Sequence, residues 1–159
     1  MSNTDRSFEL RGTSAWNLAE LESFLDQAVI PLRLGIADRA APLIVPLWYC
    51  YQEGTLWCAT HQDAHVVRAV AEQPLCAIDI STNDVPYRGV RGAGSVDVIP
   101  ERGSEWIEVL VQRYLGGTDS KLAHWLLGRR EEEVALRIEP HWLTSWDFSG
   151  RMNDLKGSR

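Results

Sequence analysis

Apolar and polar positions alternate along this chain in two rhythms, one helical and one extended. The first helical stretch follows Asn17, where Leu18, Leu21, Leu25, Ala28 and Val29 recur on one face. Asn17 stands at an N-cap with Glu20 three residues on, the two halves of a capping box. Trp16 and Leu21 hold the positions of a hydrophobic staple, and Pro31 stops the helix. A strand over 32–37 and a turn at 38–41 follow.

The runs 43–51 and 55–60 flank Gln52-Glu53-Gly54, a hairpin signal. With Gln52 opposite Thr55, the residues Leu47, Tyr49 and Tyr51 share a face with Leu56, Cys58 and Thr60. Trp48, Cys50 and Trp57 take the opposite face. Both faces are apolar, so a barrel interior must cover one and a helix or second subunit the other. Asp63 is the expected cap of a second helix whose apolar face is Val66, Val67 and Val70, ended by Pro74. Strands at 75–80 and 87–99 come next, the latter with Gly89, Gly92 and Gly94 as places for a bend or bulge.

Ser104 is the expected cap of a third helix carrying Trp106, Ile107, Leu110, Val111 and Tyr114, terminated at Gly116-Gly117. A short helix over 120–127, a solvated acidic run at 131–133, and strands at 134–138 and 142–148 complete the chain. Such an order lacks the regular strand–helix alternation of a doubly wound parallel sheet. It predicts one α+β domain over 8–150, an antiparallel sheet curled into a barrel, with flexible tails at 1–7 and 151–159.

A length of 159 residues suits one domain, and 45% hydrophobic with 24% charged residues suits a folded one. The net charge of −6 argues against a nucleic-acid partner. No apolar run is long enough to span a membrane, and the first ten residues lack the apolar stretch of a secretion signal. A cytoplasmic protein with no membrane association is expected. Seven tryptophans are many for so short a chain. Most are expected in the core, where an indole contributes large apolar area, and a few are candidates to line a pocket for a flat ligand. Cys50, Cys58 and Cys76 form no CxxC, and the opposite faces of Cys50 and Cys58 argue against a disulfide between them.

The sequence contains no HExxH, GxSxG or Walker motif, and Gly92-Ala93-Gly94 lies inside a strand rather than before a helix. His61, His65, His124 and His141 show no convincing metal spacing, so no metal site is expected. The segment 56–74 is more informative. A strand ending at Thr60 feeds His61-Gln62-Asp63 and then a helix. Helix-start N–H groups, the Thr60 hydroxyl and a cationic His65 suit a bound phosphate. A capped surface helix, with Arg68 turned to solvent, is the alternative.

The stretches APLIVPLWYCYQEGTLWCAT at 41–60, HVVRAVAEQPLCAIDI at 65–80, VPYRGVRGAGSVDVIP at 85–100 and LTSWDF at 143–148 resemble, in order and spacing, the pyridoxamine-phosphate-oxidase-like split-barrel family of FMN- and F420-binding proteins. The resemblance runs over 18–148. It implies a six-stranded antiparallel split β-barrel with peripheral helices, forming a homodimer with cofactor sites at the subunit interface. Carried over residue by residue, it sets Pro46, Leu47 and Trp48 beside the isoalloxazine ring and Thr60 on the cofactor phosphate. His61 and His65 belong to the phosphate segment, and Val66 stands where many members have lysine. Arg88, with Arg33 or Arg91, is a candidate source of charge from another strand or subunit, and Trp146 resembles an aromatic position near the active cleft. The implied activity is hydride transfer between reduced FMN, alternatively F420, and a small organic acceptor, with no residue named as acid or base. Two alternatives remain. One is a non-catalytic flavin or haem binder, with His61, His65 and His141 as ligand candidates; the other is a cofactor-free dimeric interaction domain.

Overall fold

A computed structural model describes residues 8–153. Of the tails expected at 1–7 and 151–159, residues 1–7 and 154–159 lie outside the described residues. Ser149–Arg151 forms a short 3-10 turn, and the Met152 sulfur accepts the Tyr87 N–H.

The strands are β1 (Glu9–Leu10), β2 (Leu32–Ile36), β3 (Leu43–Leu47), β4 (Cys50–Gln52), β5 (Thr55–His61), β6 (Leu75–Ser81), β7 (Arg88–Ile99) and β8 (Glu133–Asp147). Seven of them form one antiparallel sheet in the order β3-β2-β6-β7-β8-β5-β4, and β1 adds to β8 in parallel. β3 and β4 lie at the two ends of this order, yet only Trp48 and Tyr49 separate them. A link that short reaches about 11 Å, so the ends of the sheet must meet. The sheet therefore curls into the expected split barrel, with eight strands counted where six were expected.

The run 43–51 is accordingly two strands rather than one. The chain leaves the edge of β2 and joins that of β5, and Tyr49 holds the corner. Its N–H donates to the Tyr114 hydroxyl at 3.2 Å instead of to a ladder. Its buried hydroxyl reaches the Leu25 and Ala28 carbonyls at 2.8 and 3.0 Å. Conversely, the two strands expected at 134–138 and 142–148 are one. The ladder pairs Ala93 with Trp142 but Gly94 with Pro140, so His141 is the extra residue of a bulge that accommodates the proline. A side chain on Gly94 would collide with the Glu139 carbonyl.

Helix α1 (Leu18–Gln27) begins with the predicted capping box, and the Trp16 ring lies 4.9 Å from Phe24. Helix α2 (His65–Glu72) begins later than expected. Its N-cap is Ala64, which has no side-chain bond, while the Asp63 N–H donates to His61 Nδ1 at 3.1 Å. Helix α3 (Gly103–Leu115) also lacks the expected Ser104 cap, because the 3-10 turn Pro100–Arg102 runs directly into it. It ends at Gly116, whose φ of 69° is the left-handed conformation that glycine adopts at least cost. Helix α4 (Lys121–Gly128) is capped by the Ser120 side chain.

The barrel interior is packed by Leu32, Leu34, Leu56, Cys58, Ile78 and Ile138, among others, with Leu21 and Leu25 of α1 and Val66 and Val70 of α2 closing it. The hairpin register is as predicted, with Cys50 opposite Trp57 and Gln52 opposite Thr55. α3 covers its outer face: Trp106 stacks on Trp57 at 4.8 Å and 9°. Cys50, Cys58 and Cys76 are free thiols. No described helix is long and apolar enough to cross a membrane.

Candidate functional site

The end of β3, the corner after it and the end of β5 converge under α3 and α4. They border an open cavity of about 340 Å³ lined by Pro46, Leu47, Trp48, Thr60 and His61. Five residues singled out from sequence thus face one space. They meet because β5 pairs antiparallel with the start of β8, with Thr60 opposite Val134 and His61 opposite Glu133, while barrel closure brings β3 alongside β5. Ile107 and Leu110 of α3 and Leu122 and Leu126 of α4 supply an apolar wall.

Trp48 lies flat on Tyr114, with centroids 4.9 Å apart and planes at 7°. The Tyr114 hydroxyl donates to the Ile30 carbonyl at 2.7 Å. The indole is therefore held as a fixed part of the wall.

The remaining lining is charged. Arg129, just past α4, places Nη2 3.2 Å from the Glu133 carboxylate, and that side chain is only 2% exposed. The 131–133 run is therefore not wholly solvated: Glu133 turns inward at the start of β8. The i,i+4 opposite-charge spacing of Arg129 and Glu133 was the available signal, although their turn is not one continuous helix. His61 Nε2 lies 3.1 Å from Glu132, and its Nδ1 lies 3.9 Å from Asp63.

His65, Arg88 and Trp146 lie outside this lining. His65 is exposed and pairs with Asp38 at 2.9 Å. Its hydrogen bond, with that of the Arg39 N–H, holds the Asp38 carboxyl below its ordinary value. Arg88 opens with Thr82, Trp16 and Phe24 onto a separate groove of about 720 Å³ between α1 and the start of β7. Trp146 packs against Phe148 at 5.1 Å. Arg33 is engaged with Asp79 at 3.5 Å and Asn83 at 3.1 Å. His61 and His65 thus have separate carboxylate partners, and among the described residues no metal-ligating cluster occurs.

The family model for pyridoxamine 5'-phosphate oxidase matches residues 17–152. The chain belongs to the pyridoxamine 5'-phosphate oxidase family. No curated protein matches it. Among solved structures, a conserved hypothetical protein of Mycobacterium tuberculosis superposes with a TM-score of 0.72 at 19% identity, covering 87% of this chain and 89% of its own. An F420 reductase gives 0.65 at 19% identity over 77% and 94% of the two chains. A FAD-binding protein of Mesorhizobium loti gives 0.61 at 16% over 82% and 94%. At these identities the likeness establishes the fold.

Solved structures of this fold named for F420 and FAD raise the question of whether this cavity suits such a group. For a ring the lining has suitable chemistry: Pro46, Leu47, Ile107, Leu110, Leu122 and Leu126 present apolar surface, and Trp48 packs against the Ile107, Val111 and Ala123 cluster of α3 and α4. For the phosphate of FMN it does not. Val66, where the resemblance implies lysine, is 4% exposed within the barrel core. The basic side chains at the cavity, Arg129 and His61, both face carboxylates.

Proposed function

We propose that this chain binds a flavin-type ring in the cavity between β3, β5 and the α3–α4 pair and acts as a small oxidoreductase on an organic acceptor. The carrying observation is the convergence of Pro46, Leu47, Trp48, Thr60 and His61 on one cavity with an apolar roof. The ring of FMN is the first candidate. F420 is the alternative, disfavoured by an anionic tail beside these carboxylates.

In this reading Pro46, Leu47 and Trp48 offer backbone groups along one edge of the ring. Leu110, Leu122 and Leu126 supply apolar contact on one side of it. The hydride chemistry would be the ring's own. Trp48, pinned by Tyr114, keeps the wall from collapsing. No side chain at the cavity is assigned as a proton donor or acceptor.

The chain would act as a homodimer. Support comes from the outer face of β2, β3 and β6, where Ile44 and Leu75 are 69% and 58% exposed. Gly35 pairs there with both Ile44 and Ala77, leaving a shallow floor of small residues. Beside it, register pairs link Arg33 with Asp79 and Asp79 with Arg91, a row of alternating charge suited to pairing with a second copy.

The deciding experiment incubates the purified chain with FMN, riboflavin, F420 and haem and follows absorbance and flavin fluorescence. Saturable binding of a flavin or F420 at one per chain, with a shifted ring spectrum, is expected. Binding of haem alone, or of none of the four at tens of micromolar, would overturn the reading. Light scattering should give twice the chain mass.

A further inference from the structure

Arg129 and the His61 imidazole line the cavity: Arg129 is paired with Glu133 in the same lining, and His61 lies against the exposed carboxylates of Glu132 and Asp63 outside it. The Arg129 guanidinium also lies 4.3 Å from the Trp125 ring centroid, which fixes it further. On α2, His65 is turned to Asp38, and Arg68 donates to the Asp63 carbonyl at 3.0 Å. The rest of the wall is Ile107, Leu110, Leu122 and Leu126.

A phosphate dianion entering here would meet no uncompensated positive charge in the lining, because Arg129 is already paired with the buried Glu133. Drawing Arg129 toward it would strip Glu133 of its partner in a nearly dry position, and an unpaired buried carboxylate is strongly unfavourable. An uncharged flat ring meets no such opposition and gains from the apolar walls. We propose that the cavity selects flavin-type ligands lacking a phosphate, the riboflavin class, over their phosphate esters. The Arg129–Glu133 pair is the residue set that enforces this choice. This inference rests on the ring-binding reading above, and deepens it by naming the ligand class.

The test titrates the full-length chain with riboflavin and with FMN at low salt, following fluorescence quenching. Riboflavin is expected to bind at least as tightly as FMN. A tenfold or greater preference for FMN overturns the inference and leaves ring binding standing, as would happen if a second subunit brought an arginine to the phosphate. Failure of both flavins to bind removes the ring-binding reading itself. Glu133→Gln keeps an amide oxygen on Arg129 but removes the opposing charge. It should shift the ratio of affinities toward FMN by about five- to tenfold, with riboflavin little changed. A folded Glu133→Gln protein with an unmoved ratio overturns the role of the pair. Should that variant fail to fold, Glu132→Gln, at an exposed carboxylate beside His61, must move the ratio in the same direction, and an unmoved ratio there also overturns the inference.

Discussion

The Tyr114 ring lies parallel to the Trp48 indole at 4.9 Å, and its hydroxyl bridges the Tyr49 N–H and the Ile30 carbonyl. One side chain of α3 thus holds the corner where the sheet ends meet and the wall of the candidate cavity. Tyr114→Phe keeps the stack but leaves a donor and an acceptor unpaired, and should cost about 1–3 kcal/mol. Tyr114→Ala also removes the ring, for about 2–4 kcal/mol in all. Urea denaturation measures both, and an unchanged midpoint for Tyr114→Phe would remove the hydroxyl from this account.

Glycine at the start of α3 is expected to resist a change that helix propensity favours. Alanine in a helix is worth about 1 kcal/mol over glycine. At Gly103, however, an added Cβ runs into the Glu133 carbonyl and the Val134 backbone of β8, which cannot swing aside. Gly103→Ala should therefore destabilise by about 1–3 kcal/mol. At Gly128 nothing lies within reach of a Cβ, so Gly128→Ala should be neutral or mildly stabilising. Equal thermal shifts in the two variants would contradict the packing of α3 on β8.

The buried thiols of Cys58 and Cys76 should be silent in the native protein. Burial pushes Cys58 up, and raises Cys76 from 9.0 to about 11. A raised thiol value means that folding favours the neutral form. That contribution is complete below the unfolded value and is lost as pH rises from 9.0 toward about 11. At pH 8 Cys76 is therefore held as the neutral thiol. A thiol reagent at pH 8 should label Cys50 slowly, and Cys58 and Cys76 only in denaturant. Prompt labelling of all three would contradict the barrel interior.

Features governed by near neighbours in sequence were legible. The Asn17–Glu20 box needs only three residues, and the two faces of the hairpin follow from period-two alternation once Gln52 pairs with Thr55. Features governed by closure were not. The break at Trp48-Tyr49 arises because two distant strand edges must meet there, and nothing in the run 43–51 signals it. Glu133 looked like the last of three surface acids until the fold brought Arg129 to it. Val66 belongs by spacing to the apolar face of α2 and by resemblance to a cofactor position; the fold seats it in the core.

That placement gives a sharp test. If Val66 were a lost phosphate ligand, Val66→Lys would restore FMN affinity. The side chain is instead 4% exposed among the apolar residues of the barrel. A lysine there must bury its ammonium or force α2 away from the barrel, so a loss of about 3 kcal/mol or more is expected. FMN binding should not tighten. His65→Lys at the exposed neighbouring position can keep its pairing with Asp38 and should leave stability nearly unchanged. Denaturation midpoints and FMN titrations of the two variants separate the cases. A stable Val66→Lys protein that binds FMN tenfold more tightly would show that this position reaches the cavity after all.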